Sequence, residues 1–303
     1  MKALFDWLDQ RTGCRRVLRR FLFESIPGGS RWRYAWGTAL IYAFGVQVIT
    51  GFFLWTGYSP SGQTAWESVY FTQYEMAGGW LLRGLHHYTA QAFVVLLALH
   101  LFQMILFGAY RAPRELSFWL ALLLVPLAIT ISATGWLLPY DQGGFWASRV
   151  PINIMGATPV LGPVLQKLAM GGPDFGHHTL TRFFALHAGL MPPLIAAVLA
   201  LHYFLNHRQG LADPGTPGRA GETWWPDQFL RDALLCAAVL GAMVGLIFLP
   251  HWIDPTALPG VELGAPADPS EQYSAARPEW FMLFLFQLLK YFPGGTEIWG
   301  AVV

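Results

Sequence analysis

Charge is what this chain has least of. Asp, Glu, Lys and Arg make up 12% of its 303 residues, against about 25% in a soluble domain. With 54% of residues hydrophobic, too few polar side chains remain to cover a water-facing surface, so the chain is read as an integral membrane protein. Cysteine is nearly absent. Cys14 and Cys236 stand far apart, with no CxxC or CxxCH, which disfavours a disulfide framework, a thiolate metal site and a self-contained covalent c-type haem motif. The net charge is +1 and the basic residues form no single polar domain, so no nucleic-acid partner is expected. The opening MKALFDWLDQRTGCRRVLRR carries charge throughout and no apolar core, so no cleavable signal peptide is expected either. Internal repeats are lacking.

What is present is length of apolar chain. Five stretches reach the ~20 residues that a helix needs to span a bilayer: residues 34–55, 80–107, 118–138, 183–205 and 233–249. Ahead of them, residues 1–26 interleave Leu4, Phe5, Leu8, Val17, Leu18, Phe21 and Leu22 with Arg11, Arg15, Arg16, Arg19 and Arg20. That pattern reads as an amphipathic helix on an anionic membrane surface. Basic residues gather in this segment, in the second–third loop (Arg111, Arg114) and in the fourth–fifth region (Arg208, Arg219, Arg231). The first–second loop carries Glu67 and Glu75, and the loop after the fifth segment carries Asp254, Glu262, Asp268 and Glu271. The positive-inside rule then places the N-terminus in the cytoplasm and makes the second and fourth segments parallel, both running inward.

Four histidines lie within those two parallel segments: His86 and His100 in the second, His187 and His202 in the fourth. Ionisable side chains at membrane depth are costly and point to function. On an α-helix, 14 residues advance about 21 Å and return to within roughly 40° of the same face; 15 residues give about 22.5 Å and roughly 60°. Each helix therefore offers one imidazole near either surface, and topology pairs His86 with His187 outside and His100 with His202 inside. Two stacked bis-imidazole sites make a haem-bearing electron wire. Gly37 and Gly51 on the first segment are also 14 apart, and Gly135 on the third follows Ala121 by 14. Small residues admit close approach of a flat ring, so these are read as slots at the two depths. Arg83 and Arg182, just before the outer histidines, are candidates for haem propionates. His87, His177, His178 and His251 lack this register and are read as interfacial or structural.

A Gly- and Pro-rich connection of about 40 residues, 139–178, separates the third and fourth segments. Connections of this length are usually functional. Its pieces FWASRVPINIM and PVLGPVLQKLAM are too short to span and read as interfacial helices. So does the stretch 279–292, stopped by Pro293, while EIWGAVV at the end reads as the start of a further span. Three parts result: an amphipathic surface segment at 1–32, a four-helix dihaem domain at 33–210, and a C-terminal region at 211–303, the part to which the resemblance described next assigns a quinone site. The expected class is an all-α membrane protein, a four-helix haem-binding bundle with a fifth spanning helix and interfacial helices.

These residues resemble the cytochrome b subunit of quinol–cytochrome c oxidoreductases, the cytochrome bc complexes and their chloroplast counterparts. The likeness rests on RGLH at 83–86, His100, PRELSFW from Pro113, TLTRFFALH ending at His187, His202, and PEWF at 278–281, and it extends over essentially the whole chain. The 15-residue spacing of His187 and His202 is similar to the chloroplast-type branch. The resemblance implies two low-spin b-type haems on the four histidines and two quinone sites. The outer, quinol-oxidising site would involve residues 139–142, the following interfacial helices and Glu279 as proton acceptor. The inner, quinone-reducing site would involve His207, Arg208, Arg231 and Asp232. One electron would pass to a Rieske-type iron–sulfur protein and on to a c-type cytochrome, the other through the haems to the inner quinone. A dimeric complex in a prokaryotic inner membrane is implied, with another subunit or further chain supplying the family's remaining helices.

The chain also departs from the family. Ala35 stands where chloroplast-type proteins carry a cysteine, so no extra covalent haem is expected. Gln103 replaces an arginine near the inner haem, Ala121 a glycine, Tyr140 a tryptophan and Phe281 a tyrosine. Two other classes compete with this reading: a dihaem membrane anchor of a dehydrogenase or hydrogenase, which needs no PEWF and no long connection, and a haem-free transporter with a histidine proton relay.

Overall fold

The computed structural model describes residues 2–26, 28–158, 160–210, 222–271, 273 and 277–292. In chain order the helices are α1 (Lys2–Thr12), α2 (Cys14–Leu22), α3 (Trp32–Gly57), α4 (Ala65–Tyr70), α5 (Gly79–Leu106), α6 (Glu115–Trp136), α7 (Gln142–Ala157), α8 (Gly162–Met170), α9 (His177–Phe184), α10 (Met191–Gln209), α11 (Phe229–Ile253) and α12 (Leu283–Leu289). Among the described residues there is no strand, only the isolated bridges Ser25–Thr223 and Asp141–Pro266. Five helical stretches are long and apolar enough to cross a membrane: Trp32–Gly57, Gly79–Leu106, Glu115–Trp136, His177–Gln209 and Trp224–Ile253. The all-α membrane architecture holds, and the first, fourth and fifth spans run past both ends of their apolar stretches.

α3 packs against α5, α6 against α10, and α11 lies on both α3 and α5. The two histidine-bearing elements, α5 and α10, are not among the closely packed pairs. Between the two histidine levels the bundle is closed by Ala39, Leu40, Ala43, Leu96, Leu97, Leu124, Ala128, Ile195 and Val198. Every one of these is apolar, so the middle of the bundle is a dry plug that excludes water from the space separating the levels.

The fourth span is not a plain α-helix. Residues Ala185–Leu190 form a π turn between α9 and α10. Pro192 and Pro193 open α10; lacking N–H groups, they leave the carbonyls of Ala188 and Gly189 without the usual helical donor. A wider turn at this point accommodates one extra residue without breaking the span.

The outer cap is knitted from three connections. Asp141 caps α7 by accepting from Gly144 N at 2.7 Å and also accepts from Gly264 N at 3.2 Å. Gln142 N donates to Ala265 O at 2.9 Å, and Ala267 N to Tyr140 O at 3.0 Å. Trp66 Nε1, on α4, donates to Gly264 O at 2.8 Å. Leu137, Tyr140, Phe145, Ile152, Leu180 and Phe183 fill the space beneath. α7 and α8 are the two interfacial helices expected in the long connection; α4 was not expected.

Two sequence expectations need correction. The single amphipathic helix over residues 1–26 is two helices, because Gly13 adopts φ 63°, a left-handed conformation that glycine enters without steric cost. The interfacial helix over 279–292 is shorter: a 3₁₀ turn at Trp280–Met282 followed by α12. The expected start of a further span at 297–303, and Arg219, lie outside the described residues.

Candidate functional site

The four membrane histidines meet in pairs. His86 and His187 have ring centroids 6.1 Å apart at an interplanar angle of 73°; for His100 and His202 the values are 6.2 Å and 80°. Two metal–imidazole bonds of ~2 Å, with a ring beyond each, put coaxial imidazole centroids ~6 Å apart. Both pairs have that separation. Among the described residues no cluster of three or more His, Cys, Asp or Glu side chains could hold a metal. Two imidazoles at each level are a donor set that fits a haem iron, whose porphyrin would supply the other ligands.

Partners on the other ring nitrogen orient three of the four. His86 Nδ1 lies 2.9 Å from Thr50 Oγ1, whose own proton goes to Val46 O at 2.6 Å. His187 Nδ1 faces Ile131 O at 2.8 Å, and His202 Nδ1 faces Ser117 O at 2.9 Å. An oxygen with no proton to give makes each Nδ1 the donor, so Nε2 carries the lone pair. His100 Nδ1 is buried with no hydrogen-bond partner.

Glycines stand against these rings. A Cβ at Gly135 would lie 2.5 Å from Cε1 and 2.9 Å from Nδ1 of His187; one at Gly51 would lie 3.1 Å from His86 Cε1. At Gly37 the distance to His100 Cε1 would be 3.9 Å, an ordinary contact. The close approach is therefore demanding on the outer level and relaxed on the inner one. Ala121, where the family carries glycine, is buried.

The pattern of matched histidine pairs on two parallel spans agrees with what the chain resembles. Residues 25–210 match the family model cytochrome b/b6/petB. This chain belongs to the cytochrome b/b6 family. The menaquinol:cytochrome c reductase cytochrome b subunit of Bacillus subtilis is 33% identical over 222 residues, covering 71% of this chain and 99% of the relative. Cytochrome b6 of Synechococcus sp. (strain JA-3-3Ab) is 34% identical over 214 residues, covering 71% of this chain and all of the relative. A chain of a solved hyperthermophilic respiratory complex III superposes with TM-score 0.84 at 25% identity, covering 98% of this chain and 78% of that one. Membership implies b-type haem and an electron-transfer role within a membrane oxidoreductase complex.

The remaining site residues of this cytochrome b fall into three places. Arg83 donates through Nη1 to Gln73 Oε1 at 2.9 Å and to Val261 O, while Arg182 donates to Leu168 O. Both outer arginines thus tie the cap together. Glu279 lies by α5: burial holds its carboxyl above the usual carboxylate range, opposed by hydrogen bonds from Gln91 and from the Trp280 backbone. Trp280 Nε1 donates to Gln91 Oε1 at 2.6 Å, so PEWF is anchored little more than a turn from His86.

On the inner side the predicted residues separate. Asp232 is buried and accepts from Thr38 Oγ1 at 3.1 Å, Trp224 Nε1 at 3.2 Å and Gln228 Nε2 at 2.7 Å. Its neighbour Arg231 donates instead to Ser30 Oγ at 2.7 Å and Asp227 O at 2.9 Å. His207 pairs with Glu24 at 3.4 Å and stacks on Tyr203, and Arg208 is exposed beside it. No described contact joins His207 or Arg208 to Asp232.

Sequence reasoning missed the residues in contact with the paired histidines: Thr50, Ser117, Thr134 and Asn206. A signal existed for two of them. Thr50–Gly51 and Thr134–Gly135 are the same dipeptide on two spans, and in each the hydroxyl sits near the Nδ1 of a histidine whose ring the glycine admits.

Proposed function

We propose that this cytochrome b carries two b-type haems, one between His86 and His187 near the outer surface and one between His100 and His202 near the cytoplasm. It would serve as the quinol-oxidising subunit of a quinol–cytochrome c oxidoreductase. The observation that carries the reading is the pairing: two imidazole pairs at 6.1 and 6.2 Å, separated by about 21 Å of helix and by an apolar plug. Bound haem would supply one-electron redox chemistry. The chain's own work is to hold the two imidazole pairs, to exclude water, and to set the spacing.

The basic inner loops and acidic outer loops support a cytoplasmic N-terminus in a prokaryotic inner membrane. At the outer face, Tyr140, Asp141, Gln142, α7 and α8 would form one wall of a quinol pocket and PEWF the other. Glu279, whose carboxyl binds its proton more tightly than usual, would accept a proton from quinol and pass it outward. One electron would go to a Rieske-type iron–sulfur partner and thence to a c-type cytochrome. The other would cross to quinone at the inner face, against about 2.3 kcal/mol per 100 mV of membrane potential. There His207 and Arg208 stand nearest solvent, and Asp232 is held by three donors. Arg83 and Arg182, with Nη groups beyond those bound to the cap, would face the outer propionates. The relatives named as menaquinol:cytochrome c reductase subunits support this assignment over a dehydrogenase anchor.

Single histidine replacements test it. His86→Leu and His187→Leu should each remove the same spectral component of the purified complex, and His100→Leu and His202→Leu the other. Loss of different components within one pair would contradict the assignment.

A further inference from the structure

After α11 the chain crosses the outer face as a strap, residues 254–267, on its way to PEWF. Its earlier ties go to the spans: Gly260 N donates to Ile247 O at 2.9 Å, and Val261 O accepts from Arg83. Its later ties go to the segment Tyr140–Gln142. There the two backbones pair antiparallel, with Gln142 N donating to Ala265 O at 2.9 Å and Ala267 N to Tyr140 O at 3.0 Å.

One side chain bonds to both the strap and α7. Asp141 Oδ1 accepts from Gly144 N at 2.7 Å and caps α7, while Oδ2 accepts from Gly264 N at 3.2 Å. Capping α7 alone would be served equally well by asparagine. Accepting a second N–H on the second oxygen needs the acid, because the other end of an amide donates. The strap lies close against this carboxylate: a Cβ at Gly264 would stand 3.1 Å from Oδ2. From the far side, Trp66 Nε1 holds Gly264 O at 2.8 Å. Of the whole strap only Gly260 and Leu263 are buried, so such ties, rather than packing, keep it down.

We propose that Asp141 is a positioning residue that keeps the outer quinol pocket closed, by fastening the strap to the wall made of Tyr140, Gln142 and α7. This rests on the reading of the outer face as the quinol-oxidising site. If the strap stands open part of the time, quinol must select the closed fraction. Its apparent dissociation constant then rises by the reciprocal of that fraction. Bound quinol finds the strap closed, so the step that follows keeps its rate.

The test compares wild type, Asp141→Asn and Trp66→Phe in the purified complex. Asp141→Asn keeps the bond to Gly144 N and sets a donor against Gly264 N. An exposed hydrogen bond to a charged acceptor is worth about tenfold in an equilibrium. KM for a short-chain menaquinol should therefore rise about tenfold with kcat kept. The inhibition constant of a hydroxynaphthoquinone competing with that quinol should rise by the same factor. Trp66→Phe leaves Asp141 and the α7 cap in place and should move both constants the same way by less. Hydrogen–deuterium exchange should quicken over residues 260–267 in both variants and stay at the wild-type rate over α7. A fall in kcat with KM unmoved, or unequal factors for KM and the inhibition constant, overturns the inference. So does unchanged exchange in the strap, or faster exchange there with KM unaltered. A wild-type complex that oxidises no quinol, or ignores the hydroxynaphthoquinone, sinks the outer-site reading and this inference with it.

Discussion

Replacing Gly135 by alanine places a methyl carbon where the His187 ring already stands. The added Cβ would lie 2.5 Å from Cε1, 2.9 Å from Nδ1 and 3.2 Å from Nε2, whereas carbon atoms rest at about 3.5–4.0 Å. The ring must therefore retreat by about 1 Å, and in doing so it strains or breaks the 2.8 Å bond from Nδ1 to Ile131 O. Overpacking of this kind costs about 1–3 kcal/mol, and a lost internal hydrogen bond about 1 kcal/mol. Set against haem affinity at 1.4 kcal/mol per tenfold, the sum is roughly two orders of magnitude. Gly37→Ala is the built-in control, since its Cβ would make only a 3.9 Å contact with His100. Under haem-limited expression, pyridine-haemochrome analysis and redox difference spectra should show Gly135→Ala depleted of the outer haem. Gly37→Ala should retain both. Equal haem content and identical spectra in the two variants would refute the argument that these glycines exist to admit the ligand rings.

Three further outcomes follow from the same geometry. Gln91→Leu removes a hydrogen bond that favours the charged form of Glu279, so the carboxyl's proton affinity rises further; the acid limb of the kcat/KM profile for quinol oxidation should move to higher pH, and Glu279→Gln should abolish that limb. Deleting Gly189 from the π turn should bring the interval from His187 to His202 to 14 residues, matching α5, so both haems are retained; inserting an alanine there rotates His187 by about 100°, and one pair should lose its haem. Because Ala35 cannot form a thioether, acidified-acetone extraction should remove all haem from the chain, leaving a denaturing gel free of haem stain.

The spans and the meeting of their histidines in pairs were legible in the sequence because membrane helices announce themselves by length, and costly polar residues within them stand out. Matched spacing on separate helices then carries three-dimensional information. What was not legible has local causes. The 15-residue interval in the fourth span was read as straight α-helix, about 60° off a common face. The π turn at Ala185–Leu190 absorbs the extra residue, and only the prolines behind it hinted at that. The break at Gly13 was hidden by an amphipathic pattern that continues across it. On the inner face, His207 and Asp232 are close in sequence logic yet belong to α10 and α11, which take different partners, Glu24 for one and α3 for the other. Asn206 looked like one more polar residue at a helix end, since only packing against Ser117 on α6 gives it direction.

Haem stoichiometry bears most directly on the central claim. Pyridine-haemochrome analysis of the purified, haem-replete complex should give two non-covalent b-type haems for each copy of this chain. A value of one, or none, would contradict it.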